Sequence, residues 1–137
     1  MANLDDRPVV LYDRDCGFCR WSLSKLLAWD RRGRLRPVAL QDPEADRLLV
    51  GMGEEERMGS WHLAEPGGEV RSAGAAFEPL LRELPGGRPL SWIAARAPRL
   101  TERAYRLVSG NRTPIGKRLS ERAKVRADAR IAERARG

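Results

Sequence analysis

Read by the spacing of its apolar residues, the chain opens in strand-like runs and then turns helical. Residues 7–12 carry a continuous run, Val9, Val10 and Leu11, of the kind found in a strand covered on both faces. From 17 to about 32 the period becomes helical. Phe18, Trp21, Leu23, Leu26 and Leu27 recur on one side, Arg20, Ser24, Lys25 and Asp30 on the other, and Gly33 stands where a C-cap belongs. Residues 35–40 read as a second strand. Asp42-Pro43, as N-cap and first helical position, opens a short helix carrying Leu48, Leu49 and Val50. Residues 51–56 read as a loop or frayed turn and 58–64 as a third strand containing Trp61 and Leu63. Glu65-Pro66-Gly67-Gly68 is a turn, and 69–72 a short return strand. A helix over 73–84 places Ala76, Phe77, Leu80, Leu81 and Leu84 on its core face, and Pro85-Gly86-Gly87 ends it. The remainder is helical over 90–97, 98–109 and a tail from 113, with Gly110-Asn111 separating the last two.

Strand, helix, strand, then hairpin and helix is the βαβ…ββα order of a thioredoxin-like α/β domain, with a right-handed first crossover and parallel first strands. The chain divides into this domain over 1–88 and a C-terminal helical extension over 89–137, part of the same compact unit at least to about 112. A chain of 137 residues suits one core. The acidic start Met1 to Asp6 lacks an apolar signal region and no run is long enough to span a bilayer, so a cytoplasmic protein is expected.

Charge changes this picture only at one end. Residues 96–137 hold 13 basic and 4 acidic side chains, whereas the preceding part holds 13 basic and 15 acidic. Arg118, Arg122, Arg126 and Arg130 lie four apart and form a positive stripe if the tail is one helix. The bland reading is a solvated basic helix. The functional one is a surface for nucleic acid or an anionic membrane, although few aromatics are present there to stack on bases.

The candidate chemistry lies elsewhere, at Asp13-Arg14-Asp15-Cys16-Gly17-Phe18-Cys19. Both cysteines of the chain fall at i and i+3 on a strand-to-helix junction, where a disulfide closes with little backbone movement. In a reducing compartment such a pair is more often catalytic or metal-binding than structural. Zinc wants three or four protein ligands and the only other soft ligand is His62, so a metal site needs two cysteines from each of two subunits. The dithiol reading makes Cys16, at the first helical turn, the attacking thiolate, and Cys19, one turn inside, the resolving thiol. Arg14 and Arg20 are placed to help the anion, while Asp13 and Asp15 oppose it. Asp13 is either a general base for Cys19 or a helix cap, and Asp15 is read as a cap.

Tyr12-Asp13-Arg14-Asp15-Cys16-Gly17-Phe18-Cys19 after an apolar strand resembles the DCC family of thiol-disulfide oxidoreductases, also called DUF393, with its Asp and two Cys at Asp13, Cys16 and Cys19. The resemblance extends to Trp61-His62-Leu63, to the helix entry over 72–76 and to Tyr105…Asn111-Arg112, hence to about 118. It implies disulfide exchange with a protein or small-molecule thiol partner. Arg14 replaces a common glycine. No proline precedes the second hairpin strand, where thioredoxins carry a cis-proline facing the dithiol. Substrate-docking backbone is therefore expected from 68–74, which makes Ser72 and Gly74 candidate substrate-binding residues beside Trp21. His62 is read as a surface or hydrogen-bonded histidine, and Asn111-Arg112 as a helix-end turn.

The reading is thus dithiol–disulfide exchange through Cys16, Cys19 and Asp13, with no metal or organic cofactor. Two alternatives stand beside it. One keeps the fold as a redox-switched binding module acting through the basic tail. The other is a phosphatase of the haloacid-dehalogenase type using Asp13 and Asp15, which needs a Mg²⁺ site completed by later acidic residues.

Overall fold

The structure, a computed structural model, describes residues 7–136. Four strands form one sheet: β1 (Val9–Tyr12), β2 (Arg36–Ala39), β3 (His62–Ala64) and β4 (Val70–Ser72), in the order β2-β1-β3-β4. β1 runs parallel to β2, with Val9 opposite Arg36, and antiparallel to β3, with Leu11 opposite His62. β4 returns antiparallel to β3, with Ser72 opposite His62. Helix α1 (Gly17–Trp29) makes the crossover between the parallel strands. Helices α2 (Pro43–Leu48) and α3 (Glu54–Gly59) precede β3. A 3-10 turn (Ala73–Ala76) leads into α4 (Phe77–Glu83), followed by α5 (Arg88–Arg96), α6 (Pro98–Gly110), α7 (Arg112–Arg118) and α8 (Glu121–Arg136). The sheet order and the position of α1 are those of a thioredoxin-like α/β fold.

The period-2 alternation of the strands sorts the core onto two faces. Val10 and Leu63 point toward α1 and α4, where Leu23, Leu27, Leu35, Leu80 and Leu84 close over them together with Ile131 of α8. Val9, Leu11, Val38 and Ala64 point the other way, against Ala45 and Leu48 of α2, and Met58 of α3 packs on the edge. Each fully buried leucine contributes about 1.5–3 kcal/mol over an exposed one, so the crossover helix is held mainly by its Leu23–Leu27 stripe.

Three elements differ from the sequence expectation. Residues 54–59 are helical, and the third strand begins only at His62. Glu54, Glu55 and Glu56 occupy the first turn of α3, where the helix dipole favours negative charge. The helix expected over 73–84 starts as a tight 3-10 turn, with Ala73 at φ 53°. The basic tail is not one solvated helix. It breaks at Leu119 and Ser120 between α7 and α8, so Arg118 does not share a helix with Arg122.

α8 packs along α1 and β2, burying Ala127 and Ile131. Arg134 reaches the end of α1, where its guanidinium meets the wholly buried Asp30 carboxylate at 2.6 Å and donates to the carbonyls of Leu27 and Asp30 at 3.1 and 3.2 Å. Ile131 near the C-terminal end therefore closes the same core as β1, β3 and α1.

Candidate active site

The dithiol is delivered by a turn that the sheet itself constrains. After β1, the Asp13 carbonyl accepts from Cys16 N–H at 3.2 Å, and Asp13 Oδ1 accepts from Asp15 N–H at 2.9 Å. Gln41, just beyond β2, reaches across from the neighbouring strand end. Its Nε2 donates to Asp13 Oδ1 at 2.8 Å, and its Oε1 accepts Arg14 N–H at 3.1 Å. Parallel pairing of β1 and β2 puts these strand ends side by side, so a residue 28 positions later fixes the turn.

The N-cap of α1 is Cys16 itself. Its backbone is extended, and its sulfur accepts Cys19 N–H at 3.3 Å, in the place usually taken by a Ser or Asp oxygen. The sulfur thus sits where helix N–H groups lack intrahelical acceptors, an environment that favours negative charge. Asp15 does not cap the helix as expected; its carboxylate turns toward Gln41, 3.5 Å away.

Cys19, one turn further on, is a different thiol. Burial pushes its pKa up to about 12, and its hydrogen bond and charge interaction with Cys16 push the same way, as does the nearby Asp13 carboxylate. Arg112 opposes them. The two cysteines are adjacent, half-buried and reduced in the structure. Arg14 and Arg20 do not serve the thiols. Arg14 is paired with Asp42, and Arg20 with Asp128 of α8 at 3.1 Å.

Cys19 and Asp13 open onto a cleft of about 580 Å³ with a mostly apolar wall. One side is α1, through Phe18, Cys19, Ser22, Leu23 and Leu26, residues at helical spacing on one face. The floor is Val10, Tyr12 and Trp61, with Phe77 and Leu80 of α4. The far wall is α5 and α6, ending at Arg112. Trp61 and Phe77 meet edge to face at 5.2 Å, and Tyr105 of α6 joins them at 6.1 Å from Phe77. α7 packs on the first turn of α1, where a Cβ on Gly116 would come within 3.3 Å of the Phe18 nitrogen. That contact brings Arg112, half-buried, to the dithiol end of the cleft.

Trp21, Ser72 and Gly74 do not line this cleft. Trp21 lies two residues past Cys19, about 200° around the helix, and pairs instead with Phe18 and the Lys25 ammonium. Ser72 is engaged by His62, whose Nδ1 lies 2.6 Å from its hydroxyl. Gly74 donates its N–H to Glu102 of α6 at 2.9 Å, and a Cβ there would stand 2.7 Å from the Glu102 Cα. Gly68 is at the opposite end of the sheet, beyond Ala64. Ser60 and Trp61, leading into β3, line the cleft instead. There are no cis peptide bonds among the described residues.

His62 is fully buried, not at the surface. Its Nε2 lies 2.9 Å from the Arg57 carbonyl, an acceptor only, so Nε2 carries the proton and Nδ1 accepts from Ser72. Burial lowers its pKa. Among the described residues no group of three or more His, Cys, Asp or Glu side chains is placed to hold a metal ion.

Two site residues escaped the sequence reading. Gln41 has no motif around it. Arg112 was legible as part of the Asn111-Arg112 pair, but only the packing of α7 on α1 shows that it faces Cys19. No curated protein and no solved structure matches the chain. A family model does, across residues 10–118, from the first strand through α7 and including every residue of the dithiol turn, Gln41 and Arg112. On that match, the chain belongs to the DCC1-like thiol-disulfide oxidoreductase family.

Proposed function

We propose that the protein catalyses thiol–disulfide exchange with Cys16 as the attacking thiolate, Cys19 as the resolving thiol and Asp13 as proton acceptor. The observation that carries this reading is the asymmetry of the pair: Cys16 sulfur caps the helix and accepts the Cys19 N–H, while Cys19 lies one turn inside, where burial raises its pKa. In the reductive direction Cys16 attacks one sulfur of a substrate disulfide. A Cys16–substrate bond forms, the substrate S–S bond breaks, and the departing thiolate takes a proton. Cys19 then passes its proton toward Asp13 and attacks Cys16. The Cys16–Cys19 disulfide closes, and the substrate leaves with both electrons of the dithiol.

Burial raises the pKa of Cys19, so its thiol is a poor nucleophile at neutral pH until that proton is drawn off. The cation of Arg112 favours the thiolate, and the Asp13 carboxylate, whose charge disfavours it, is the nearby group able to take the proton. The apolar cleft reaches Cys19 and Asp13, one helical turn from Cys16, and supports a substrate that presents apolar surface near its disulfide.

The test is trapping with a disulfide substrate. Cys19→Ser accumulates a mixed disulfide through Cys16, and Cys16→Ser accumulates none. Equal trapping by both variants, or no turnover by the unaltered protein with any dithiol or disulfide partner, rejects the assignment.

A further inference from the structure

The α5–α6 pair leaves apolar side chains exposed, most of them along the cleft wall and Leu107 beyond it. In α6, Leu100, Ala104, Leu107 and Val108 fall at i, i+4, i+7 and i+8, one face of the helix. That face is not in the core: Leu100 and Leu107 are 65% and 69% exposed, and α6 buries no residue. Leu90 and Ile93 of α5, about half exposed, continue the patch along the same cleft wall. Arg99, Arg103 and Arg106 run beside the apolar stripe at i, i+4 and i+7. Across residues 88–118 there are eight basic side chains against one acid, Glu102. That acid is occupied by Arg106 and the Gly74 N–H.

We propose that this face docks on an anionic lipid surface, with Leu100 and Leu107 entering the headgroup–acyl boundary and the flanking arginines meeting lipid phosphates. An exposed apolar stripe bordered by arginines, on a helix of low overall hydrophobicity, is the pattern of an interfacial helix. Charge complementarity selects anionic lipid, and arginine stems lie along the apolar face while their heads reach the phosphates. A nucleic acid satisfies the arginines but gives the leucines nothing to bury. A peptide seated in the cleft leaves Leu107 uncovered, since it does not belong to the cleft lining. No described helix is long and apolar enough to cross a membrane, so the contact is with the surface. The cleft wall that includes Leu100 and Val108 then lies at the lipid interface.

The experiment is co-sedimentation of the full chain with phosphatidylcholine vesicles, alone or containing phosphatidylglycerol. Binding is expected only with phosphatidylglycerol and weakens as salt rises. Replacing Arg99 and Arg103 by glutamine reduces affinity roughly fivefold per residue. Leu100→Glu with Leu107→Glu reduces it at least about tenfold while leaving the circular dichroism unchanged, since both side chains lie outside the core. Three results overturn the proposal: no binding to phosphatidylglycerol vesicles, binding indifferent to the leucine changes and matched by duplex DNA, or a dimer in solution that those changes dissociate without any vesicle binding.

Discussion

Replacing Arg134 by alanine tests whether the C-terminal helix is structural or merely appended. Asp30 has no exposed side-chain surface, and its carboxylate accepts from Leu35 N–H at 2.8 Å, Arg34 N–H at 3.1 Å and Arg134 at 2.6 Å. Removing the guanidinium leaves that charge buried and strips a donor from the carbonyls of Leu27, Asp30 and Leu35. Breaking a buried pair from one side costs about 3–5 kcal/mol. Arg134 retains 21% exposure, so water recovers part of this and the lower end, about 3 kcal/mol, is expected. For a chain of this size that is a drop of about 10 °C in Tm. Thermal and urea unfolding followed by circular dichroism measures it, with exposed Arg126→Ala as the control, expected within about 0.5 kcal/mol of the unaltered protein. Adding Asp30→Asn to Arg134→Ala should recover part of the loss, because the uncompensated charge is then gone. A loss no larger than that of Arg126→Ala, or strictly additive losses in the double variant, refutes the reasoning.

Two further outcomes follow from the site and its neighbour. Arg112→Leu removes a cation that lowers the Cys19 pKa, so Cys19 should titrate still higher and the mixed disulfide at Cys16 should resolve more slowly; thiolate absorbance in a Cys16→Ser background reads the first and quenched-flow trapping the second. His62 has a folded pKa lowered from 6.5 by burial, so the unfolded chain binds more protons below that value. Stability should be full above pH 6.5 and fall as pH drops below it, a dependence that unfolding curves of His62→Gln should lack.

The dithiol was legible in the sequence because its chemistry is local. Two cysteines at i and i+3 after an apolar run require only a strand, a turn and a helix start, and each of those has a short-range signal. The expectation that Arg14 and Arg20 serve the thiols failed for the complementary reason, whereas Asp13 does oppose the Cys19 thiolate as expected. Arg14 and Arg20 are near the thiols in sequence, but a long side chain follows its strongest partner, and those partners, Asp42 and Asp128, arrive from distant segments. Asp15 looked like a cap, yet the cap geometry went to the Cys16 sulfur.

By itself, then, the sequence determined the order of the four strands with their first crossover helix, the two-faced strands and the placement of Cys16 and Cys19 at the start of α1, all of which rest on periodicity and spacing over a few residues. Tertiary structure decided what surrounds them. Parallel pairing of β1 and β2 set Gln41 against the turn. Packing of α7 on α1 brought Arg112 to Cys19, and α6 covered Gly74 and opened the cleft on its other side. These contacts join residues tens of positions apart. No local pattern encodes them, because they exist only once the sheet and its helices have closed on a common core.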